Sequence, residues 1–186
     1  EFRLAGAATF AIFGAVALFL SRTRIMRTAF FTAYLAVVIW WIAIPPSHDR
    51  EWRPEGAVLP RASVDGDTVR ISKVRNFEYR SRNDFTPRYE DREVKLSSLR
   101  GIDFYISYWR EGIVAHTFLS FIFDDAPPLS ISMETRPEIG EGFDPLASMF
   151  KQFELISGVG DEKDLVGVRA KHRREQVYLY HLNSPA

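Results

Sequence analysis

IVAHTFLSFIFDDAPPLSISMETR, residues 113–136, is the stretch whose reading decides the fold. Its first half is rich in β-branched and aromatic residues. Asp124, Asp125, Pro127 and Pro128 then mark a turn, and LSISMETR returns as a second strand, so the whole reads as an antiparallel hairpin. Reflected about residue 126, the hairpin sets His116 near Arg136 and Phe118 near Glu134. In that register His116, Glu134 and Arg136 emerge on one face, because alternate strand residues share a side. A slip of one residue would dissolve the cluster.

Further strands are expected on both sides of the hairpin. DGDTVRISKVR (65–75), REVKLSSL (92–99) and IDFYISYW (102–109) precede it, and DLVGVRAKH (164–172) and QVYLYHL (176–182) follow. Between them GFDPLASMFKQFELI carries a helix signal. Asp144 can cap, Pro145 fits the first helical position, and Leu146, Met149, Phe150 and Phe153 form one apolar stripe. An α+β domain uses every segment: a mainly antiparallel sheet of about five or six strands with a packed helix.

The N-terminal part differs in kind. Residues 4–20 and 28–47 hold no charged side chain, and Arg22, Arg24 and Arg27 stand between them. Seventeen helical residues reach roughly 25 Å, near the short limit for a bilayer. Trp40 and Trp41 suit a headgroup interface, and Pro45–Pro46 stop the helix. The expectation is a two-helix membrane hairpin over residues 1–47, its Arg-rich turn cytoplasmic by the positive-inside tendency. Residues 48–64 then form a linker, and residues 65–186 lie outside a bacterial inner membrane as a periplasmic body on a multi-pass anchor. A lipid bilayer is the first expected partner.

Composition excludes several functions. The 186 residues balance 24 basic against 24 acidic side chains, which argues against a nucleic-acid partner. In FEYRSRNDFTPRYEDR (77–92) the arginines alternate with acids, favouring ion pairing over a phosphate-binding strip. With no cysteine, disulfides and thiolate chemistry are absent from these residues. His48, His116, His172 and His181 lack ligand spacing, HExxH is missing, and no glycine-rich loop cradles phosphate, so neither metal nor cofactor is expected.

What chemistry remains centres on His116, in an otherwise apolar strand. It is a general-base candidate if partial burial and an acidic neighbour tune it, or else a histidine satisfied at the core edge. Glu134 is placed to orient His116 or to accept a proton itself, and Arg136 to bind a carboxylate or phosphate. The rival is a structural Glu134–Arg136 pair. Ser120 stands four positions from His116, roughly 13 Å along an extended strand and too far to be its nucleophile.

The succession VRNFEYRSRNDFTPRYEDR (74–92), GIDFYISYW, IVAHTFLSFIF, SISMETRPEIGEGFDPLASMFKQFELI and DEKDLVGVRAKHRREQVYLYHL resembles the Lnb N-terminal periplasmic-domain family across most of residues 65–182. The resemblance implies a permuted papain-like or peptidoglycan-hydrolase-like thiol fold and lipoprotein N-acyl transfer, with lipoprotein or phospholipid as substrate. His116, in AHTF, matches the family's histidine motif. The resemblance places the cysteine in an Asn-Cys-Thr-like motif after a YLYHL-type strand, so residues 65–186 are expected to be an incomplete, C-terminally truncated domain of that kind. Two alternatives stand beside acyl transfer: a non-catalytic envelope binding domain, and a thiol peptidase or amidase.

Overall fold

The computed structural model describes residues 2–110, 114–142, 144, 148 and 150–182, and the chain divides into two compact units, Glu1–Ser47 and His48–Ala186. In the first unit, helix α1 (Phe2–Ala15) runs into a wide turn at Val16–Leu20, where the Ser21 amide reaches back to the Val16 carbonyl at 2.8 Å. Helix α2 follows over Arg24–Ala43. Phe30 of α2 sits 5.5 Å from Phe10 and 5.7 Å from Phe13, ring to ring. A Cβ at Gly14 would come within 2.9 Å of the same ring, so this glycine makes room for it.

The expected multi-pass anchor is overturned. Among the described residues only Arg24–Ala43 is long and apolar enough to cross a membrane. Its 20 residues rise about 30 Å, and Ile25, Phe31, Leu35, Ile39, Trp40 and Ile42 are all exposed on it. The first apolar helix, Leu4–Leu20, is shorter, and its last residues are wound into the wide turn. The first run, already near the short limit in the sequence, falls below the length of a span once its end is wound into that turn.

The second unit is built on an eight-stranded sheet in the order β1-β2-β9-β8-β7-β6-β10, with β5 also paired to β2. The strands are β1 (Arg61–Asp65), β2 (Thr68–Arg75), β5 (Tyr89–Lys95), β6 (Leu99–Arg110), β7 (Val114–Phe123), β8 (Leu129–Arg136), β9 (Glu154–Asp161) and β10 (Gln176–Leu182). A short hairpin of β3 (Glu78–Tyr79) and β4 (Phe85–Thr86) stands apart. All pairings are antiparallel except β2–β9, joined in parallel where Arg75 meets Gly160. The α+β class therefore holds, with a larger and mixed sheet. Part of the difference lies in residues 48–64, expected as a linker: they contain a helical turn, Pro54–Ala57, and most of β1.

β2 shows how its faces are set. The alternation of Val69 and Ile71 is broken by Val74, and the structure explains this with a bulge. Lys73 takes φ 61, and the pairing with β5 shifts between Ile71 and Val74, so both side chains are buried with Leu129 and Val159. In the stretch 77–92 three of the four arginines pair with nearby acids: Arg80 with Asp84, Arg88 with Glu78, and Arg92 with Glu90.

The hairpin of β7 and β8 forms, with Phe118 opposite Ser132 and Ser120 opposite Ser130. Its centre lies one residue earlier than residue 126, which moves each partner by two positions. An even shift preserves parity, so the residues expected on the inner face remain there.

Two elements differ from the sequence reading. Of the stripe assigned to a helix within residues 142–156, Leu146 and Met149 lie outside the described residues, while Glu154–Ile156 belongs to β9. DLVGVRAKH is helical rather than extended: Asp161 caps the turn Glu162–Leu165 by accepting from the Lys163 amide, and a wide turn follows at Arg169–Arg173. This winding puts Leu165 and Val166 against Tyr105 and Phe118. A strand would have sent these adjacent apolar residues to opposite faces.

Gly158 and Gly160 let β9 pass close to its neighbours. A Cβ at Gly160 would lie 3.0 Å from Leu165 Cγ and 3.1 Å from the Arg75 carbonyl oxygen. The backbone oxygen cannot swing away as a side chain would. Gly160→Ala is expected to destabilise the body by about 1–3 kcal/mol, read as a lowered denaturant midpoint. An unchanged midpoint would show that β2 and β9 are less tightly joined than their register implies.

Candidate functional site

β7 carries His116, Phe118 and Ser120 on one face at the two-residue spacing of a strand. Directly across from His116 on β6 stands Ser107, which is fully buried. The β6–β7 register shifts just beyond, at Trp109, whose indole stacks near the imidazole with centroids 6.1 Å apart and planes 14° apart. Phe118 meets the same imidazole edge-on at 4.6 Å. His116 is therefore held between two aromatic rings, and its Nε2 is buried with no hydrogen-bond partner.

Two carboxylates flank this histidine, each tied to a serine and an arginine. Glu134 of β8 accepts from the Ser132 hydroxyl at 2.9 Å and lies 3.6 Å from Arg75. Gly158 on β9 leaves the space this carboxylate uses, since a Cβ there would lie 3.2 Å from Glu134 Cδ. Glu175 accepts from Ser107 at 2.5 Å and from Arg169 at 3.2 Å, with Arg173 at 4.0 Å. The Arg169 guanidinium lies over Phe118 at 4.9 Å and over Trp109 at 5.9 Å, capping the rings that enclose His116.

A buried anchor holds the Glu134 side in place. Arg75 donates to Asp164 at 2.8 Å, to the Tyr79 hydroxyl at 3.2 Å and to the Glu55 carbonyl at 3.2 Å. Asp164, fully buried, also accepts from the Phe77 amide at 2.8 Å. Asp164 and Glu134 together raise the Arg75 pKa against the burial that would lower it.

The electrostatics leave His116 a neutral base. Burial pushes its pKa down to about 4, Arg169 pushes the same way, and Glu134 and Glu175 only partly oppose them. Burial would raise Glu134, but Arg75, Arg169 and the Ser132 hydrogen bond hold it below the ordinary glutamate range. Neutral imidazole beside ionised carboxylate is therefore the resting state at neutral pH. An NMR titration should place the His116 midpoint near 4. A midpoint at the ordinary 6.5 would mean that the rings and Arg169 do not enclose it.

Of the three residues singled out in the sequence, His116 and Glu134 come within each other's electrostatic reach on one face. Arg136 is engaged elsewhere. Its guanidinium lies 4.0 Å over Trp52 and donates to the carbonyls of Gly56 at 2.7 Å and Ala57 at 3.2 Å. Trp52 is thereby buried, and its indole N–H is satisfied by the His48 carbonyl at 3.1 Å. The Glu134–Arg136 ion pair weighed as a rival does not form; Arg75 takes that place. Ser120 is turned into the core, bonded to Ser130 at 2.9 Å and Glu162 at 2.6 Å. Asp103 binds His181 at 2.7 Å across the β6–β10 pair. Among the described residues, no group of three or more His, Asp or Glu side chains is arranged to hold a metal.

Sequence reasoning missed Arg75, Ser107, Asp164, Arg169, Arg173 and Glu175. The signal for three of them was the basic run RAKHRRE at 169–175. Its first half was assigned to a strand, which separated Arg169 from His116.

Comparison with known proteins gives one match. The family model described as Lnb N-terminal periplasmic domain matches residues 85–186, and this span contains His116, Glu134, Asp164, Arg169, Arg173 and Glu175. No curated protein and no solved structure matches the chain.

Proposed function

The chain belongs to the Lnb N-terminal periplasmic domain family, and from that premise we propose that it is the membrane-anchored, histidine-bearing part of a thiol acyltransferase-like protein that processes lipoproteins or other acylated components of the cell envelope. The observation that carries this reading is the buried, unpartnered Nε2 of His116, held neutral between two rings and two serine-bound carboxylates. A neutral imidazole with a free acceptor nitrogen in a low-dielectric setting suits a general base toward a thiol. Glu134 stabilises the imidazolium that forms. Arg136 serves the fold by holding residues 56 and 57.

These 186 residues contain no cysteine. In the proposed reaction, a cysteine outside them gives its proton to His116 and attacks an ester carbonyl of a phospholipid. The ester C–O bond breaks, the alcohol leaves with the proton from His116, and a thioester remains. An amine of the lipoprotein then attacks the thioester, an amide forms and the thiol is regenerated. This papain-like division of labour sets the histidine on a sheet and takes the thiol from another segment. The exposed apolar side chains of α2 favour a lipid bilayer around Arg24–Ala43.

The test is mass spectrometry of the protein as its gene encodes it, incubated with phospholipid and an amine-bearing lipopeptide. An acyl adduct on a cysteine, discharged by the lipopeptide, is the expected result. No adduct would overturn acyl transfer. The lack of cysteine in this stretch would then favour a non-catalytic envelope-binding domain. Discharge by water in preference to amine would indicate a thiol peptidase or amidase instead.

A further inference from the structure

Arg75, a cation serving the fold, meets two carboxylates, Asp164 and Glu134, besides the Tyr79 hydroxyl and the Glu55 carbonyl, and its Nε alone is left without a partner. The turn Arg169–Arg173 is different. Arg169 and Arg173 share a single carboxylate, Glu175, and Arg173 reaches it only at 4.0 Å. Glu175 is also occupied by the Ser107 hydroxyl. Arg173 Nε is buried with no hydrogen-bond partner, while the side chain as a whole is 29% exposed. The Nε is thus withdrawn from water in a side chain that is not wholly buried.

The backbone supports the same cluster. Arg174 adopts φ 54, a left-handed conformation uncommon for a residue with a Cβ. It brings the Glu175 amide back to the Arg169 carbonyl at 3.0 Å and so closes the turn around the two guanidiniums. Lys171 and Arg174 are exposed on this turn, and among the described residues no carboxylate lies within ion-pair distance of either. The acids near His116 are matched by arginines, but Arg173 and its two neighbours remain in excess. Both Arg169 and Arg173 act electrostatically on His116, so this positive charge lies beside the candidate base.

We infer that Arg173, with Arg169 behind it, is an anion subsite holding the phosphate of a phospholipid acyl donor next to His116. The inference rests on the acyl-transfer reading and deepens it. In a phospholipid the phosphodiester is only a few bonds from the ester carbonyls. A base that acts at such an ester therefore meets the phosphate close by, where a guanidinium with donors to spare orients it. Arg169, already bonded to Glu175 and lying over Phe118, keeps Arg173 aimed by sharing its carboxylate. Arg173 is a positioning residue: it fixes the substrate and takes no proton.

The test uses the whole protein in detergent and three probes: dihexanoylphosphatidylglycerol, dihexanoylglycerol, which lacks the phosphate, and inorganic phosphate. Calorimetry should show wild type binding the phospholipid at least about tenfold more tightly than the diacylglycerol. Arg173→Gln should erase that difference and leave diacylglycerol binding unchanged, Arg173→Lys should keep part of it, and Arg174→Gln should change it less than twofold. Circular dichroism checks that each variant is folded. If folded Arg173→Gln keeps the preference, or Arg173→Lys and Arg173→Gln both unfold, Arg173 is structural and the inference falls. If inorganic phosphate binds as tightly as the phospholipid, the subsite is one for free anions and the headgroup assignment falls. The two readings fail separately. Loss of the phosphate preference in Arg173→Gln without any acyl adduct in wild type sinks acyl transfer alone. An adduct insensitive to Arg173→Gln, in both yield and apparent KM, sinks the subsite alone.

Discussion

Asp164→Ala should cost the body about 3–5 kcal/mol, because it strips the partner from a buried guanidinium. Asp164 is fully buried, Arg75 is nearly so, and their contact is 2.8 Å. Truncation also leaves the buried Phe77 amide without its acceptor. Among the described residues, Glu134 at 3.6 Å is then the only carboxylate paired with Arg75. A domain of this size holds about 5–15 kcal/mol in all, so thermal unfolding should fall by about 10–20 °C. Asp164→Asn keeps an oxygen for the amide and should fall between the two. If Asp164→Ala unfolds within a degree or two of wild type, the Arg75 anchor contributes no stability and the buried network has been given the wrong role.

His116→Ala should lower acyl-adduct formation about 10³-fold, within the range that a positioned general base contributes. The variant should remain folded, because the ring lies between Trp109 and Phe118 at the margin of the core and its Nε2 makes no bond whose loss would be felt. His116→Gln fills the space and removes the base, so equal loss in both variants separates chemistry from packing. The pH dependence adds an independent check. With a folded-state pKa near 4 and an ordinary value of 6.5 in the unfolded chain, the unfolded state binds the proton first as pH falls. His116 therefore makes stability decline between about pH 6.5 and 4, with no effect above that window. His116→Gln should flatten this part of the stability–pH curve while abolishing the adduct. An adduct formed at wild-type rate by either variant would remove His116 from the reaction.

Parts of this arrangement were legible because they are local. The hairpin of β7 and β8 is written in the aromatic and β-branched run before DDAPP, and a two-position shift of its register left His116 and Glu134 on a common face. Had the partners shifted by one position instead of two, the two residues would have faced opposite sides. QVYLYHL was equally plain as a strand. DLVGVRAKH was not, because its apolar residues satisfy two periods over so short a run, and only the surface offered by Tyr105 and Phe118 decides for the helical one. ELI was attached to the preceding apolar stripe, whereas it begins β9, whose two glycines are the clearance needed by Glu134 and Arg75. The second apolar helix kept its span, and the first lost it through length.

The charge network was the least legible part. Arg75 to Asp164 and Ser107 to Glu175 join residues far apart in the chain. One arginine among many carries no local mark of which carboxylate it will meet. The hairpin pattern pointed to His116 and Glu134 and the family resemblance added the idea of thiol chemistry, but the other neighbours of His116 came only from the folded structure.

The parallel contact of Arg75 with Gly160 divides the sheet in a way that bears on how the domain is made. On one side, β1, β2 and β5 pair among themselves; on the other, β6 to β10 do the same. Each half consists mainly of short-range pairings, and the joint between them waits until β9 has been synthesised. Amide hydrogen exchange should therefore resolve two cooperative blocks, with protection of Phe77 and Gly160 appearing only when the halves dock. Because Arg75 comes from one block and His116, Glu134 and Asp164 from the other, the histidine's electrostatic surroundings are completed at the last stage of folding. A half-assembled chain would hold the imidazole without the cation that fixes its carboxylate.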